Sequence, residues 1–533
     1  MISSYSPLVL FSLLFFLAHQ STCSASFPQN ANETDILQCL LRRSVPRSVL
    51  LSPISENFTS VLISNVQNPQ ILHHSTKPLL IVAATHESHI QSAVLCSRDL
   101  NLQLRIRSGG HDYEGLSYST SSFGPFVLLD LQTFRSIDVD VGSLTAWVQT
   151  GATLGELYFA IAAQSRTVAF AAGYCPTVGI GGHLGGGGTG PLMRSHGLAA
   201  DNIIDARIVN ADGEILESKE SMGEDLFWAL RGGGPASFGV VISYKIRLVE
   251  VPPTVTFFSK SKTLSEGATK SIAQWQEIAH KVDRRLFIDA ALQVVDADKP
   301  NKTISVTFSS LFLGELEELL PLIDDSFPEL GLAPEDCKQM SWIESILFFI
   351  PMMEVDDKTP LTILLTRGPS ASSFKAKSDV ITTPIGEDGW EAMWKFILDG
   401  DEQPLILIGP LGGRVHEVSE AATPFPHRKG SLYVMLYALE WAGVKKEVDK
   451  YFDWMQSFYE FLTPYVSSNP RAAYLNIRDL DLGKNKEGSI SYKNAEVWGE
   501  KYFKGNFERL AEVKSEVDPS NVFRYEQSIP TLY

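Results

Sequence analysis

The segment from Gly173 to Gly190, GYCPTVGIGGHLGGGGTG, constrains this chain more than any other: nine of its eighteen residues are glycine, and among them stand Cys175 and His183. Glycine collects where a backbone must take positive φ or let another body approach closely, and successive unshielded N–H groups form an anion-binding nest. A shorter stretch, Ser108-Gly109-Gly110 followed directly by His111, has the same texture. Two such loops point to a ligand with a pyrophosphate lying against backbone. Gly185, Gly187 and Gly190 formally satisfy G-x-G-x-x-G, with Asp205 downstream. No apolar strand runs into Gly185, however, and Pro191 follows where a crossover helix must open, so the dinucleotide-binding fingerprint is rejected.

Around these loops the pattern alternates. A strand at Leu79–Val82, a helix at Glu87–Leu100 and a strand at Leu104–Arg107 give a β-α-β order. Strands at Phe126–Leu131 and Ala146–Thr150, a helix at Leu154–Gln164 and hairpin-like runs up to Val251 continue the same unit. After Pro252-Pro253 the texture shifts to long strands and amphipathic helices, an α+β unit with a mostly antiparallel sheet. The division expected is 26–250, 251–478 and a C-terminal segment, 479–533, that returns to the first unit through Tyr502, Phe503 and Phe523.

The 533 residues are enough for two or three cores. A formal charge of −17 disfavours nucleic-acid binding, which needs a basic face, so the partner expected is a small molecule. Residues 1–25 read as a secretory signal: an apolar run, Leu8–Ala18, too short to span a membrane, is followed by small polar residues. Sequons at Asn32, Asn57 and Asn301 agree with that route, whose end is the extracellular space or the vacuole, and no stable membrane span is expected. In an oxidising compartment one disulfide is expected, and Cys39 and Cys96, both on helix-like apolar patterns near the N-terminus, are paired. Cys175 is then left free, and Cys337 reads as a small buried hydrophobe.

The pairing of RSGGHDYEGLSY (Arg107–Tyr118) with GYCPTVGIGGHLGGGG (Gly173–Gly188) resembles the plant berberine-bridge-enzyme-like flavoproteins, which include the cannabinoid synthases. PLMRSHGLAADNIIDARIVN, GEDLFWALRGGG, TPFPHRKG, YLNIRDLDLG and DPSNVFRYEQSIP carry the likeness over nearly the whole mature chain. The resemblance implies an α+β fold: a two-part FAD-binding domain of the vanillyl-alcohol-oxidase (PCMH) type beside a substrate domain whose antiparallel sheet is covered by helices; apart from the resemblance, a monomer is expected. It implies FAD bonded to His111 through its 8α carbon and to Cys175 through C6, cradled by Arg107, Ser108, Gly109, Gly110, Gly173, Thr177, Val178, Gly181, Gly182 and His183. It also implies the Cys39–Cys96 disulfide. The family reaction passes hydride to flavin N5, and dioxygen reoxidises the flavin to give hydrogen peroxide. Val178 matches the position where valine goes with oxidase behaviour.

The chain departs from this family where a base is wanted. On the strand GSLYVMLYALEW, alternation places Leu432, Val434, Leu436 and Ala438 on one face, and that face is wholly apolar. Relatives commonly carry Lys, Glu or Gln at the positions of Val434 and Leu436, and a tyrosine at that of Ile477. The remaining candidates for a catalytic proton acceptor are Tyr113, His183, Tyr474 and His416, with His196, and with Tyr433 and Tyr437 expected to face away. Two functions follow: an FAD-linked oxidase of a hydrophobic plant metabolite, or a flavin-dependent cyclase of prenylated phenolics in which no net redox change occurs. An apolar wall argues against a sugar substrate, whose hydroxyls would be left unpaired.

Overall fold

A computed structural model describes residues 31–121, 123–297, 302–350, 355–356 and 358–532. The expected signal segment and Asn301 lie outside them; the side chains' anchors Asn32 and Asn57 are exposed. The β-α-β unit forms as read. Strand β1 (Leu80–Ala83), helix α1 (Glu87–Asp99), strand β2 (Gln103–Arg107) and strand β3 (Phe126–Asp130) build a parallel core in which β3 lies between β1 and β2, with Leu50–Leu51 added antiparallel outside β1. Continuous burial along β3 explains its unbroken apolar run, since both faces are covered. Cys96 on α1 is bonded to Cys39 on the helix Glu33–Arg42, with Cα atoms 5.9 Å apart.

A five-stranded antiparallel sheet follows, in the order Ile137–Asp140, β4 (Thr145–Gln149), Val240–Arg247, Ile203–Val209, Ile215–Leu216. Helix α2 (Leu154–Gln164) begins at Thr153, whose hydroxyl accepts from the Glu156 N–H while Glu156 accepts from the Thr153 N–H. The segment expected to be wholly loop contains one helix, α3 (Ile180–Gly185). Its two apolar residues, Ile180 and Leu184, are four apart, fully buried and on one face, and that burial offsets the poor helix propensity of the glycines between them. The helix lies before Gly185 rather than after it, which agrees with rejecting the dinucleotide-binding geometry.

The third sheet has seven strands, antiparallel throughout: Cys337–Met340, Val255–Thr263, Lys302–Phe312, β5 (Leu286–Asp296), β6 (Leu405–Pro410), β7 (Tyr433–Ala442) and Ser372–Ile381, in that lateral order. One face is covered by the helices Ala268–Ile278, Glu387–Asp399 and Asp449–Phe461, whose Trp275, Trp390, Met393 and Phe458 pack with Ile288, Met435 and Tyr437. The other face carries Phe287 and Val434 into the core shared with the first half of the chain. Cys337, on the edge strand, is half-buried rather than buried.

The C-terminal segment is tied to the first half by buried charges. Lys514 Nζ bonds Asp518 Oδ2 (2.6 Å) and the carbonyls of Ser237 and Phe523, and Arg105 pairs with Glu526 at 2.7 Å with both side chains excluded from solvent. Removing one member of such a pair strands the other, at a cost of about 3–5 kcal/mol. Among the described residues no helix is long and apolar enough to cross a membrane.

Candidate functional site

Between the glycine segments and the open face of the seven-stranded sheet lies a cavity of about 450 Å³. Its cofactor-side wall is backbone. A Cβ placed on Gly109 would lie 2.3 Å from the nitrogen of Gly179, so the two glycine segments meet with no room for a side chain. Gly110 has φ +73°, and a Cβ there would lie 2.1 Å from the Asn65 carbonyl oxygen. These contacts present His111 and Cys175 to one cavity.

Both groups await a partner. His111 hydrogen-bonds the backbone of Thr177, while its buried Nε2 has no partner among the described residues. Burial lowers its pKa to about 4, so the ring is neutral. Cys175 is a free thiol, pushed up to about 11 by burial. An unpartnered imidazole nitrogen, a free thiol and two glycine segments in backbone contact at Gly109 and Gly179 fit a flat cofactor joined to both side chains.

The loop bearing His111 is clamped. Arg478 Nε donates to Asp112 Oδ2 (3.0 Å), and Lys375 Nζ bridges Glu114 (2.6 Å) and Asp479 (3.1 Å), while Lys377 spans Asp479 and Asp481. HDYEG and IRDLDL, more than three hundred residues apart, thus form one charged network flanking Tyr113 and Ile477.

Of the candidate proton acceptors, Tyr113, His183 and Tyr474 line the cavity. His183 is already used: Nε2 accepts the Gly173 N–H at 3.0 Å, and burial lowers its pKa to about 4. A neutral imidazole has one acceptor nitrogen, so taking a proton there would break that bond. The Tyr474 hydroxyl receives the N–H groups of Gly188 (2.9 Å) and Thr189 (3.3 Å) and Nδ2 of Asn476 (2.9 Å), which favour its ionised form, although burial outweighs them and its pKa stays raised. Burial also raises Tyr113, with the Cys175 sulfur adding to it.

Other expectations need correcting. His416 does not reach the cavity: its Nε2 bonds the Ser431 carbonyl at 2.8 Å beside His280. His196 also lies away, near Arg284. Arg107 sits beneath the site, paired with Asp130 at 2.7 Å and bonded to the carbonyls of Leu62 and Val61, so its work is to fix the floor. Thr177 contributes its backbone to His111 and does not line the cavity. Ser108, Gly109, Gly110, Gly173, Val178, Gly181 and Gly182 do line it.

The substrate-side wall is built by register. Val434 and Leu436 on β7 face the cavity, opposite Gly409 and Leu407 of β6, and Ile477 closes the same side. Tyr433 and Tyr437 point to the helix-covered face, bonded to Gln276 and Asp379. One strand further, β5 presents Phe287 and Asp289. The wall is therefore not wholly apolar: Asp289, absent from the sequence-based candidates, opens on the cavity half-buried, with its pKa raised to about 7 by burial. The signal for it was a lone carboxylate in the apolar strand LFIDAAL, on the same alternation face as Phe287.

The chain's likenesses agree with this geometry. The profile of the FAD binding domain family matches residues 78–219, and that of the berberine and berberine like family matches residues 473–530. Tetrahydroberberine oxidase of Berberis wilsoniae is 48% identical, with 98% of this chain and 97% of that protein aligned. O-acetylstemmadenine oxidase of Catharanthus roseus is 45% identical, over 99% and 98%. The solved structure of a BBE-like protein from Arabidopsis thaliana superposes with a TM-score of 0.87 at 43% identity, covering 94% of this chain and all of that one.

Proposed function

Since this chain belongs to the berberine bridge enzyme-like family of FAD-dependent oxidoreductases, we propose that it is an oxidase of a hydrophobic small molecule whose FAD is joined covalently to His111 and Cys175. The observation that carries this reading is the convergence of an unpartnered buried His111 Nε2 and a free Cys175 thiol on one cavity. When bound, FAD supplies a hydride acceptor that dioxygen returns to its oxidised form.

The chain's own residues hold, shape and exclude. The Gly109–Gly179 contact lets a planar group lie against backbone, and the Asp112–Arg478 and Glu114–Lys375 pairs keep the His111 loop fixed, which limits the poses open to a tethered ring. Val434, Leu436, Leu407, Phe287 and Ile477 give the substrate an apolar seat that sheds water. Val178, on the cavity wall three residues beyond Cys175, is the side chain we assign to oxygen access. For a substrate that must lose a proton we assign Tyr474 as the acceptor, since the three N–H groups on its oxygen oppose the rise that burial gives its pKa. We assign cofactor binding to 26–250 with the return of 479–533, and substrate binding to 251–478. The Cys39–Cys96 disulfide supports passage through an oxidising, secretory compartment, as do exposed Asn32 and Asn57.

A second reading rests on Val434, Leu436 and Ile477, none of which can take a proton: a cyclase that uses the FAD fold without net oxidation. One set of measurements separates the two. Acid-precipitated protein stays yellow, and its tryptic map joins the His111 and Cys175 peptides through one flavin; release of free FAD refutes the double tether. Anaerobic bleaching by substrate, then peroxide on admitting air, marks the oxidase, whereas product formed at constant flavin colour without oxygen marks the cyclase.

A further inference from the structure

The two side chains assigned to the flavin are fixed by different parts of the chain. Around Cys175 the polar ties are local: its carbonyl accepts the Val178 N–H (3.3 Å), the Pro176 and Val178 carbonyls accept from Gly155 and Leu154 (2.9 Å each), the Gly173 N–H donates to His183 Nε2 (3.0 Å), and the Tyr158 hydroxyl donates to the Gly173 carbonyl. These partners all lie within residues 154–183. The turn after His111 closes only partly on itself, through Asp112 Oδ1, which accepts the N–H groups of Glu114 and Leu116 at 3.0 Å each. Its outward ties reach much later segments. Asp112 Oδ2 accepts from Arg478 Nε (3.0 Å), Glu114 Oε1 accepts from Lys375 Nζ (2.6 Å) and from the Leu480 N–H (3.4 Å), and the Tyr113 ring meets Phe374 edge-on at 5.3 Å. Phe374 and Lys375 belong to the strand Ser372–Ile381, at one edge of the seven-stranded sheet, and Arg478 and Leu480 to the stretch RDLDL.

Lys375 joins these ties. Its side chain is 6% exposed and stands between Glu114 on one side and Asp479 and Asp481, each at 3.1 Å, on the other. Without that cation Glu114 faces two carboxylates whose charges oppose its own. Lys377 cannot take over, because its ammonium is bonded to Asp479 and Asp481 and not to Glu114. Loss of Lys375 therefore turns an attraction into a repulsion at the His111 turn, while none of the polar ties named for the Cys175 turn involves it.

We propose that Lys375 is a positioning residue for the flavin bond at His111, so that this bond forms only when the edge strand and the RDLDL stretch have docked on the first half of the chain. The bond at Cys175 does not wait for that docking. This rests on the double-tether reading. In forming its bond His111 gives up its ring N–H and the flavin 8α carbon gives up one C–H; Cys175 gives up its S–H and flavin C6 its C–H. In each case the two hydrogens, with their electrons, pass to dioxygen as hydrogen peroxide, so each link uses one dioxygen. A chain whose halves have not docked then carries flavin by sulfur alone, and the histidyl link marks the fully assembled protein.

The test is a tryptic map of the full-length protein, expressed in air, read by mass spectrometry at the His111 and Cys175 peptides. In the wild type one flavin should join both. In Lys375→Gln the share of flavin joined to His111 should fall about tenfold or more, as a broken buried pair allows, while the Cys175 peptide keeps its wild-type share. Lys375→Arg should restore most of the histidyl link. Lys260→Gln, which breaks the pair of Lys260 with Asp336 (2.7 Å) elsewhere in the same sheet, should change neither bond. Hydrogen exchange needs no flavin and reads the same cause: Lys375→Gln should speed exchange over residues 109–116 and leave 173–179 as in the wild type. Equal loss of both bonds in Lys375→Gln, or a histidyl link kept in full, overturns the proposal. If Lys375→Gln does not fold, Glu114→Gln, which leaves Lys375 its bonds to Asp479 and Asp481, decides by the same two measurements. A wild type with flavin on neither peptide breaks the double-tether reading, and hydrogen exchange then decides whether Lys375 holds the turn; a doubly linked wild type whose Lys375→Gln form loses both links equally keeps that reading and breaks this one.

Discussion

The two walls of the cavity are made by opposite means. On the cofactor wall two glycine segments meet backbone to backbone: a Cβ on Gly109 would lie 2.3 Å from Gly179 N, one on Gly179 2.2 Å from Gly109 N, and one on Gly110 2.1 Å from the Asn65 carbonyl oxygen. The substrate wall is a regular sheet whose side chains project into space, and its own glycine, Gly409, has nothing within 4 Å of where a Cβ would be. Packing density explains the contrast: where atoms already touch, one methylene is felt, and where they face a cavity it is not. Gly109, Gly110 and Gly179 are therefore closed to any side chain while Gly409 is open to one, which suits a fixed cofactor and a changeable substrate.

Matched glycine substitutions give the largest effect and test the contrast directly. Gly109→Ala should abolish flavin loading and soluble expression, because backbone must move to admit the new atom. Gly409→Ala should leave flavin content unchanged and thermal stability equal or slightly higher, since alanine restricts the unfolded chain by about 0.4–1 kcal/mol. Flavin absorbance per protein and thermal unfolding read both; equal damage from the two would dissolve the distinction.

An intermediate effect is expected from charging the apolar part of the substrate wall. Leu436→Glu puts a carboxylate among Val434, Leu407 and Ile477, and apolar ligands should bind about a hundredfold more weakly, the scale of ~3 kcal/mol, with flavin retained. Unchanged affinity at full flavin content would remove this face from the substrate site.

The smallest effect is a pH dependence. Burial raises the Asp289 pKa in the folded state to about 7, above the ordinary value of 3.8, so the native protein holds a proton that the unfolded chain has lost between those values. Stability from this group is fully present below pH 4 and declines as pH rises through 7. Asp289→Asn, neutral at every pH, should match the wild type near pH 4 and exceed it by about 1–2 kcal/mol at pH 8, a figure reduced because the carboxylate is only half-buried. Parallel denaturation curves over that range would show that Asp289 ionises freely in the native state.

The sequence by itself was enough for whatever depends on near neighbours or on a pattern that repeats. The β-α-β core, α2, the antiparallel character of the seven-stranded sheet and the orientation of Val434 and Leu436 against Tyr433 and Tyr437 follow from periods of 3.6 and 2. His111 and Cys175 stood out because each adjoins a glycine-dense segment, which carries its own physical reason, while the bonds expected of them came from the family resemblance. Only the tertiary structure decided which groups share a cavity. His416 was excluded because its carbonyl partner comes from Ser431, and His183 was spent because the acceptor it needs to offer is taken by Gly173. Asp289 entered because β5 and β7, nearly 150 residues apart, are separated laterally by one strand. Lateral order in a sheet is set by long-range pairing, whose energy is spread over many backbone bonds and leaves no mark at any single residue.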